Sequence, residues 1–91
     1  MKMETERKIS IAKAIIEKAI EVSDTTKHDV FVELSPHVQW LEAVIFINGW
    51  KIGKYEDKRF RISFDSYYAD HEKEFKVCMA YMNELLAEVE A

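Results

Sequence analysis

The order of hydrophobic periods along the chain is the feature that most constrains its fold. Apolar residues recur every three or four positions near the N-terminus, alternate with polar residues in the middle, and return to the longer spacing near the C-terminus. The longer spacing places apolar side chains on one face of a helix, and alternation places them on one face of a strand. The chain is therefore predicted to run helix, strands, helix.

The N-terminal helix is predicted from about Glu4 to Ser23. Its positions outside the apolar stripe are mostly Glu, Lys and Ala, which are good helix formers. The stripe consists of Ile9, Ile11, Ala12, Ile15, Ile16, Ala19, Ile20 and Val22. A stripe of this width indicates that the helix is buried on more than one side. The polar segment 23–26 then favours a cap or a turn.

Three strands are predicted between the helices. The first covers His28 to Ser35, the second Val38 to Asn48 and the third Arg59 to Asp65, and each is rich in β-branched or aromatic residues. Asn48-Gly49 ends the second strand because both residues tolerate a positive φ. Trp50 to Lys54 is predicted to continue as a short paired ribbon.

The C-terminal helix is predicted from Ser66, with Asp65 or Ser66 as its cap. Its stripe consists of Tyr68, His71, Phe75, Cys78, Met82, Leu85 and Val89. Strands joined by short connections pair antiparallel, and both helices can pack on the same side of the resulting sheet. The 91 residues are therefore predicted to form a single α+β domain over 1–91, a three-stranded antiparallel sheet with both helices on one face (αβββα).

The second strand is apolar on both sides, which two helices on one sheet face cannot cover. Leu41, Ala43 and Ile45 form one row, and the other row contains two aromatic residues. An uncovered apolar row marks an interaction site, and aromatic residues with Arg are typical of interface hot spots. The predicted partner-binding residues are Phe31, Trp40, Val44, Phe46, Arg59 and Arg61.

Three other ways of covering that row stay open at the level of sequence. The segment from Trp50 to Lys58 could fold over it, part of the wide first helix could reach it, or a second copy of the chain could cover it in a homodimer. The partner is accordingly a foreign protein or the chain itself.

Charge is unevenly distributed over a chain whose net charge is −4. Residues 65–91 hold seven acids and two bases, a net of −5, whereas residues 1–27 hold five acids and six bases. An acidic surface is predicted at Asp70, Glu74, Glu84 and Glu88. The basic loop 51–61 is an alternative nucleic-acid-binding site, with Trp50 and Tyr55 among its bases for stacking. Its basic residues are Lys51, Lys54, Lys58, Arg59 and Arg61.

The residue pattern does not indicate catalysis. The three histidines and Cys78 lack the spacing of a zinc site, and the chain has no glycine-rich phosphate loop or nucleophile elbow. We therefore expect a non-enzyme without a cofactor or a metal. A single cysteine fits a reducing, cytoplasmic setting, and the longest apolar run, Ala43 to Ile47, is too short to cross a membrane.

The predicted order of elements resembles that of the double-stranded RNA-binding domain. That family begins its second helix with a lysine-rich stretch, whereas residues 66–74 here (Ser-Tyr-Tyr-Ala-Asp-His-Glu-Lys-Glu) are acidic. The order, size and acidic balance are also similar to small accessory proteins of phages and mobile elements, including anti-CRISPR proteins. That second resemblance implies a non-enzymatic interaction module that inhibits a host defence protein by occupying one of its surfaces, with acidic residues in place of phosphates.

Overall fold

The structure is a computed structural model that describes residues 3–65 and 70–90, the last two by their backbone only. It contains a helix, three strands and a second helix, which confirms the predicted α+β fold. The elements are α1 (Thr5–Thr25), β1 (Asp29–Ser35), β2 (Trp40–Phe46), β3 (Lys58–Ser63) and α2 (His71–Glu90). Within the described ranges, neither helix is both long enough and apolar enough to pass through a bilayer.

The three strands form one antiparallel sheet in the order β1-β2-β3, with β2 in the centre. Val32 pairs with Ala43, which pairs on its other side with Phe60. Because directly paired residues point to the same side of a sheet, these three residues belong to one face and their neighbours along each strand belong to the other. β1 and β3 are the two edge strands.

Both helices pack on the face that carries Leu41, Ala43 and Ile45, as predicted. These three residues are almost wholly inaccessible to solvent. The side chains that cover them come from α1, α2 and β3 and form one continuous core with them. They are Ile11, Ile15, Val22, Ile62, Cys78, Met82 and Leu85.

The end of α1 lies two residues beyond the predicted boundary. The hydroxyl of Thr25 donates to the carbonyl of Glu21 at 2.6 Å, and that of Thr26 donates to Val22 at 2.7 Å. Both bonds run from a hydroxyl to the carbonyl four residues earlier, the local pattern in which Thr side chains bond to the helix backbone. Ser23, expected to end the helix, instead accepts the backbone N–H of Val30 at 3.0 Å and ties α1 to β1.

The start of α2 differs more from the prediction. The helix begins at His71, and the carboxylate of Asp70 accepts the N–H of Lys73 at 3.1 Å. Asp70 is therefore the cap, because a capping side chain must reach an N–H in the first turn that follows it. Ser66 and Tyr68 lie outside the described residues, so their predicted places in the helix are not tested.

β2 and β3 are both shorter than predicted, and for β2 the reason is the backbone conformation at its ends. Gln39 and Asn48 have φ of 57° and 65°, which interrupts a strand, and Gly49 follows with a φ of 95°. The turn at Asn48-Gly49 is confirmed. β3 runs from Lys58 to Ser63 rather than from Arg59 to Asp65.

The predicted ribbon at Trp50–Lys54 is wrong, since this segment lies in turns and loop. Hydrogen bonds that involve side chains hold this segment in place, and not the backbone hydrogen bonds of a paired strand. The N–H of Trp50 donates to Asp29 at 2.7 Å, and the ammonium of Lys54 donates to the carbonyls of Ile47 and Gly49. The loop therefore stays beside the end of the sheet.

Candidate protein-binding face

The sheet face opposite the helices, here called the open face, brings the predicted partner-binding residues together. It consists of the odd-numbered residues of β1 and β3 and the even-numbered residues of β2. In register, Phe31 lies beside Val44, which lies beside Arg59. Across all three strands the face carries Asp29, Phe31, Glu33, Ser35, Trp40, Glu42, Val44, Phe46, Arg59, Arg61 and Ser63.

An aromatic pair occupies the β1 side of the open face. The rings of Phe31 and Phe46 lie 5.5 Å apart, edge to face at 85°. Phe46 is only 7% exposed, whereas Phe31 is 51% exposed and Val44 beside it is half-buried. Phe46 thus belongs to the interior of this cluster, and Phe31 is the ring it presents to solvent.

A stacked pair of Arg61 and Trp40 lies on the same face. The guanidinium carbon of Arg61 is 4.0 Å from the centre of the Trp40 ring, within the range of a cation–π interaction. The Nε1 of Trp40 is buried and has no hydrogen-bond partner among the described residues. The stack restricts the orientations open to the guanidinium group.

A buried carboxylate joins both arginines beneath this surface. Glu42 is 7% exposed, and its Oε2 lies 2.6 Å from Nη1 of Arg59 and 3.4 Å from Nη2 of Arg61. Burial raises the pKa of the Glu42 carboxyl, but the hydrogen bonds and charges of the two arginines outweigh it, so its pKa lies below the usual range. Arg59 also pairs with Glu56 at 3.0 Å.

Sequence reasoning missed Glu42 as a site residue. Its carboxylate matters because the register sets it beside Arg61 on β3 and one step from Arg59. Alternation already placed all three on the same side of their strands. These three residues become neighbours only through the relative register of β2 and β3. The loop between the two strands does not allow that register to be predicted from the sequence.

Acid is expected to reveal the contribution of Glu42 to stability. Because its pKa is lowered in the folded state, the stabilisation is fully present above the unfolded value and is lost as the pH falls through the folded one. Urea unfolding should show that Glu42→Gln costs about 1–3 kcal/mol at pH 7 and much less near pH 3. Glu33→Gln is the control, since Glu33 is exposed on the same face. A cost for Glu42→Gln that does not change with pH would contradict the assignment.

The basic loop 51–61 is largely neutralised within the fold. Lys54 pairs with Asp57 at 3.5 Å, and Arg59 and Arg61 share Glu42. In the described part of the chain, only Lys51 and Lys58 of the five bases have no carboxylate within 4.0 Å. The predicted cluster therefore presents less free positive charge than its composition indicates.

The predicted acidic surface is divided between the two ends of α2. Asp70 caps the helix, and Glu74 accepts the N–H of Ser63 at 3.3 Å. Glu88 contacts His28 at 3.1 Å, and Glu84 is exposed. The helical rise puts roughly 15 Å between Glu74 and Glu84, so the four residues do not form one patch.

The remaining polar candidates lie in or near the core. Cys78 is fully buried, as expected for a core residue, and desolvation raises the pKa of its thiol to about 12. The Nδ1 of His71, a residue predicted in the apolar stripe of α2, is buried and has no hydrogen-bond partner among the described residues. In residues 3–65 and 70–90, no group of three or more His, Cys, Asp or Glu side chains could hold a metal ion.

Family models give no match to the sequence, and searches of curated proteins and of solved structures likewise give none.

Proposed function

We propose that this chain is a small protein-binding module, and that its open face docks against a protein partner. The observation that carries the proposal is an exposed Phe31 on the same sheet face as two arginines, Arg59 held by Glu42 and Arg61 stacked on Trp40. Aromatic and arginine side chains dominate the energy of protein interfaces. Side chains that are ordered before binding lose less entropy on association.

The charges of the open face favour a protein over a nucleic acid. Glu42 lies beneath both guanidinium groups, and Glu33, which is paired with Glu42 in the register of β1 and β2, is exposed on the same face. Phosphate binding needs unpaired positive charge, which this arrangement reduces. The fitting partner presents apolar side chains to Phe31 and Val44, and carbonyl or carboxylate oxygens to the N–H groups of Arg59 and Arg61 that remain free.

Inhibition of a larger protein is the biological role that we propose for this binding. The resemblance to small phage and mobile-element proteins, including anti-CRISPR proteins, implies action by covering a partner's surface. If the acidic residues Glu84 and Glu88 contribute to recognition of a basic partner, association weakens as salt is raised. Binding through the apolar part of the open face depends on salt much less.

Substitutions on the open face should abolish capture of the partner. Phe31→Ala and Arg61→Ala are each expected to weaken binding about 30-fold or more, the range for interface hot spots. The measurement is quantitative capture by immobilised protein from a nuclease-treated lysate, followed by titration of the purified partner. Circular dichroism verifies that each variant is folded.

Tyr55→Ala is the matched control for these substitutions, because Tyr55 is an exposed aromatic residue on the loop and not on the sheet. It should leave affinity unchanged. Loss of binding on nuclease treatment, or equal loss in all three variants, would count against the open face as the binding surface.

Nucleic-acid binding by the basic loop is the second candidate function. It is favoured by the exposed rings of Trp50 and Tyr55 on the same loop as Lys51, since bases stack on aromatic side chains. Fluorescence anisotropy with single-stranded and duplex oligonucleotides tests it. Lys51→Ala combined with Lys58→Ala should reduce both affinity and its dependence on salt, and unchanged affinity would reject the loop as a site.

A further inference from the structure

An apolar groove runs along the seam between α1 and the outer edge of β1. One cavity of about 410 Å³ lies between the C-terminal half of α1 and Val30 and Val32. A second of about 230 Å³ lies between the N-terminal half of α1 and Leu34. The large apolar side chains that flank the seam and remain substantially exposed are Ile9, Ile16, Ile20 and Leu34.

The edge of β1 in this groove has unused backbone groups. The N–H of Phe64 donates to Gln39 at 2.8 Å, which fixes the alternation of hydrogen bonds between β3 and β2. The same alternation can be followed through the register from β3 across β2 to β1. The N–H and C=O groups of Val30, Val32 and Leu34 then point away from β2, toward the outer edge of the sheet. The bond from Val30 to Ser23 agrees with this direction and satisfies one donor. Within the described ranges, the N–H groups of Val32 and Leu34 have no hydrogen-bond partner.

A second copy of β1 is complementary to this edge. Val32 is the middle residue of the strand Asp29–Ser35, so an antiparallel copy centred on it pairs the full length. In that register Val30 lies opposite Leu34, and Phe31 lies opposite Glu33. Apolar residues meet on the helix side, and no carboxylate faces another carboxylate. The free donors at Val32 and Leu34 then meet carbonyls of the copy while Ser23 keeps its bond to Val30.

The other edge strand, β3, is not complementary to a second copy of itself. The same alternation points the backbone groups of Arg59 and Arg61 outward from β3. An antiparallel copy of β3 that pairs most of the strand sets one arginine directly opposite another, which is unfavourable. Basic side chains commonly protect edge strands from pairing, and β1 contains no lysine, arginine or proline.

We propose that the chain forms a two-fold symmetric homodimer through antiparallel pairing of β1 with β1 of a second copy, centred on Val32. The sheet then has six strands, and the two α1 helices lie side by side and cover Ile16 and Ile20. The open faces of the two copies become one continuous surface, with both Phe31 rings near the two-fold axis. The dimer contact itself uses the strand edge and α1 rather than the open face.

Mass in solution tests the dimer directly. Analytical ultracentrifugation of the full chain between about 1 μM and about 1 mM can detect a dimer whose dissociation constant is micromolar to millimolar. We expect a monomer–dimer equilibrium whose dissociation constant rises at least about tenfold in Leu34→Lys and in Ile20→Lys. Val77→Lys is the matched control, because Val77 is 48% exposed on α2 and away from the seam. It should not change the equilibrium.

Hydrogen exchange provides a second measurement that does not depend on a variant folding. The amides of Val32 and Leu34 should become protected as the concentration is raised, while the amide of Arg61 on the opposite edge should not. A monomer at every concentration, or species that grow beyond a dimer, would overturn the proposal. So would a dimer that Leu34→Lys and Ile20→Lys leave intact, or one that Val44→Asp on the open face abolishes. Partner capture that fails in Phe31→Ala and Arg61→Ala is a separate outcome, which bears on the proposed function.

Discussion

Replacing Ile45 by alanine is expected to lower the free energy of unfolding by about 2–5 kcal/mol, whereas Val44→Ala next to it should cost less than about 1.5 kcal/mol. Ile45 is fully buried under the helices, and Val44 is half-buried on the open face. Truncating Ile45 removes apolar contacts and leaves a cavity in a close-packed core. The two residues are adjacent on the central strand, so the pair compares the two faces at nearly the same position.

Urea unfolding followed by circular dichroism measures both costs. The experiment belongs at low protein concentration, where association adds nothing to the apparent stability. A cost for Val44→Ala as large as that for Ile45→Ala would mean that the open face is covered in the isolated protein. The proposed docking surface would then be part of a core.

His28→Ala is expected to destabilise the fold by about 2–4 kcal/mol. His28 is 3% exposed, its Nδ1 accepts the N–H of Asn48 at 3.0 Å, and its Nε2 lies 3.1 Å from a carboxylate oxygen of Glu88. Because Nδ1 accepts, the neutral ring carries its proton on Nε2 and donates it to Glu88. This side chain joins the end of β2 to the last turns of α2. Its removal leaves the N–H of Asn48 without this acceptor and opens a cavity where the buried ring was.

His37→Ala is the matched control, since His37 is exposed in the connection between β1 and β2. It should change the free energy of unfolding by no more than about 0.5 kcal/mol. Glu88→Gln keeps an acceptor for the ring proton, so its cost should lie between those of the two histidine variants. Equal costs for His28→Ala and His37→Ala would show that the buried ring does not connect these elements.

The two proposals together describe a bivalent binding surface. A dimer through β1 presents two open faces side by side, each with its own arginine pair held by Glu42. A partner with two-fold symmetry could engage both faces, and linked binding events raise the overall affinity well beyond that of one face. A monomeric module would bind such a partner through each face independently.

The order of elements and the assignment of residues to faces could be predicted because both follow from local periodicity. Val44 and Ile45 were placed on opposite sides of β2 by alternation alone. The boundaries were less predictable, since they depend on individual contacts. α2 begins where Asp70 caps it, and β2 begins after Gln39, a residue whose positive φ has no signature comparable to that of Asn48-Gly49.

The roles of charged residues could not be predicted in the same way. Arg59 and Arg61 were expected among the partner-binding residues, and the structure adds Glu42 as the group that holds them. His28 carried no signal, because its partners Asn48 and Glu88 are 20 and 60 residues away along the chain.

The sequence by itself determined that two amphipathic helices flank three strands and that the central strand is apolar on both of its sides, because hydrophobic period is a property of neighbouring residues. Tertiary structure alone decided which charges are free and which strand edge is open. An ion pair needs two atoms within a few ångströms, and register and packing set that distance between residues far apart in the chain. For this reason a basic loop of five cations became a surface on which three are already paired.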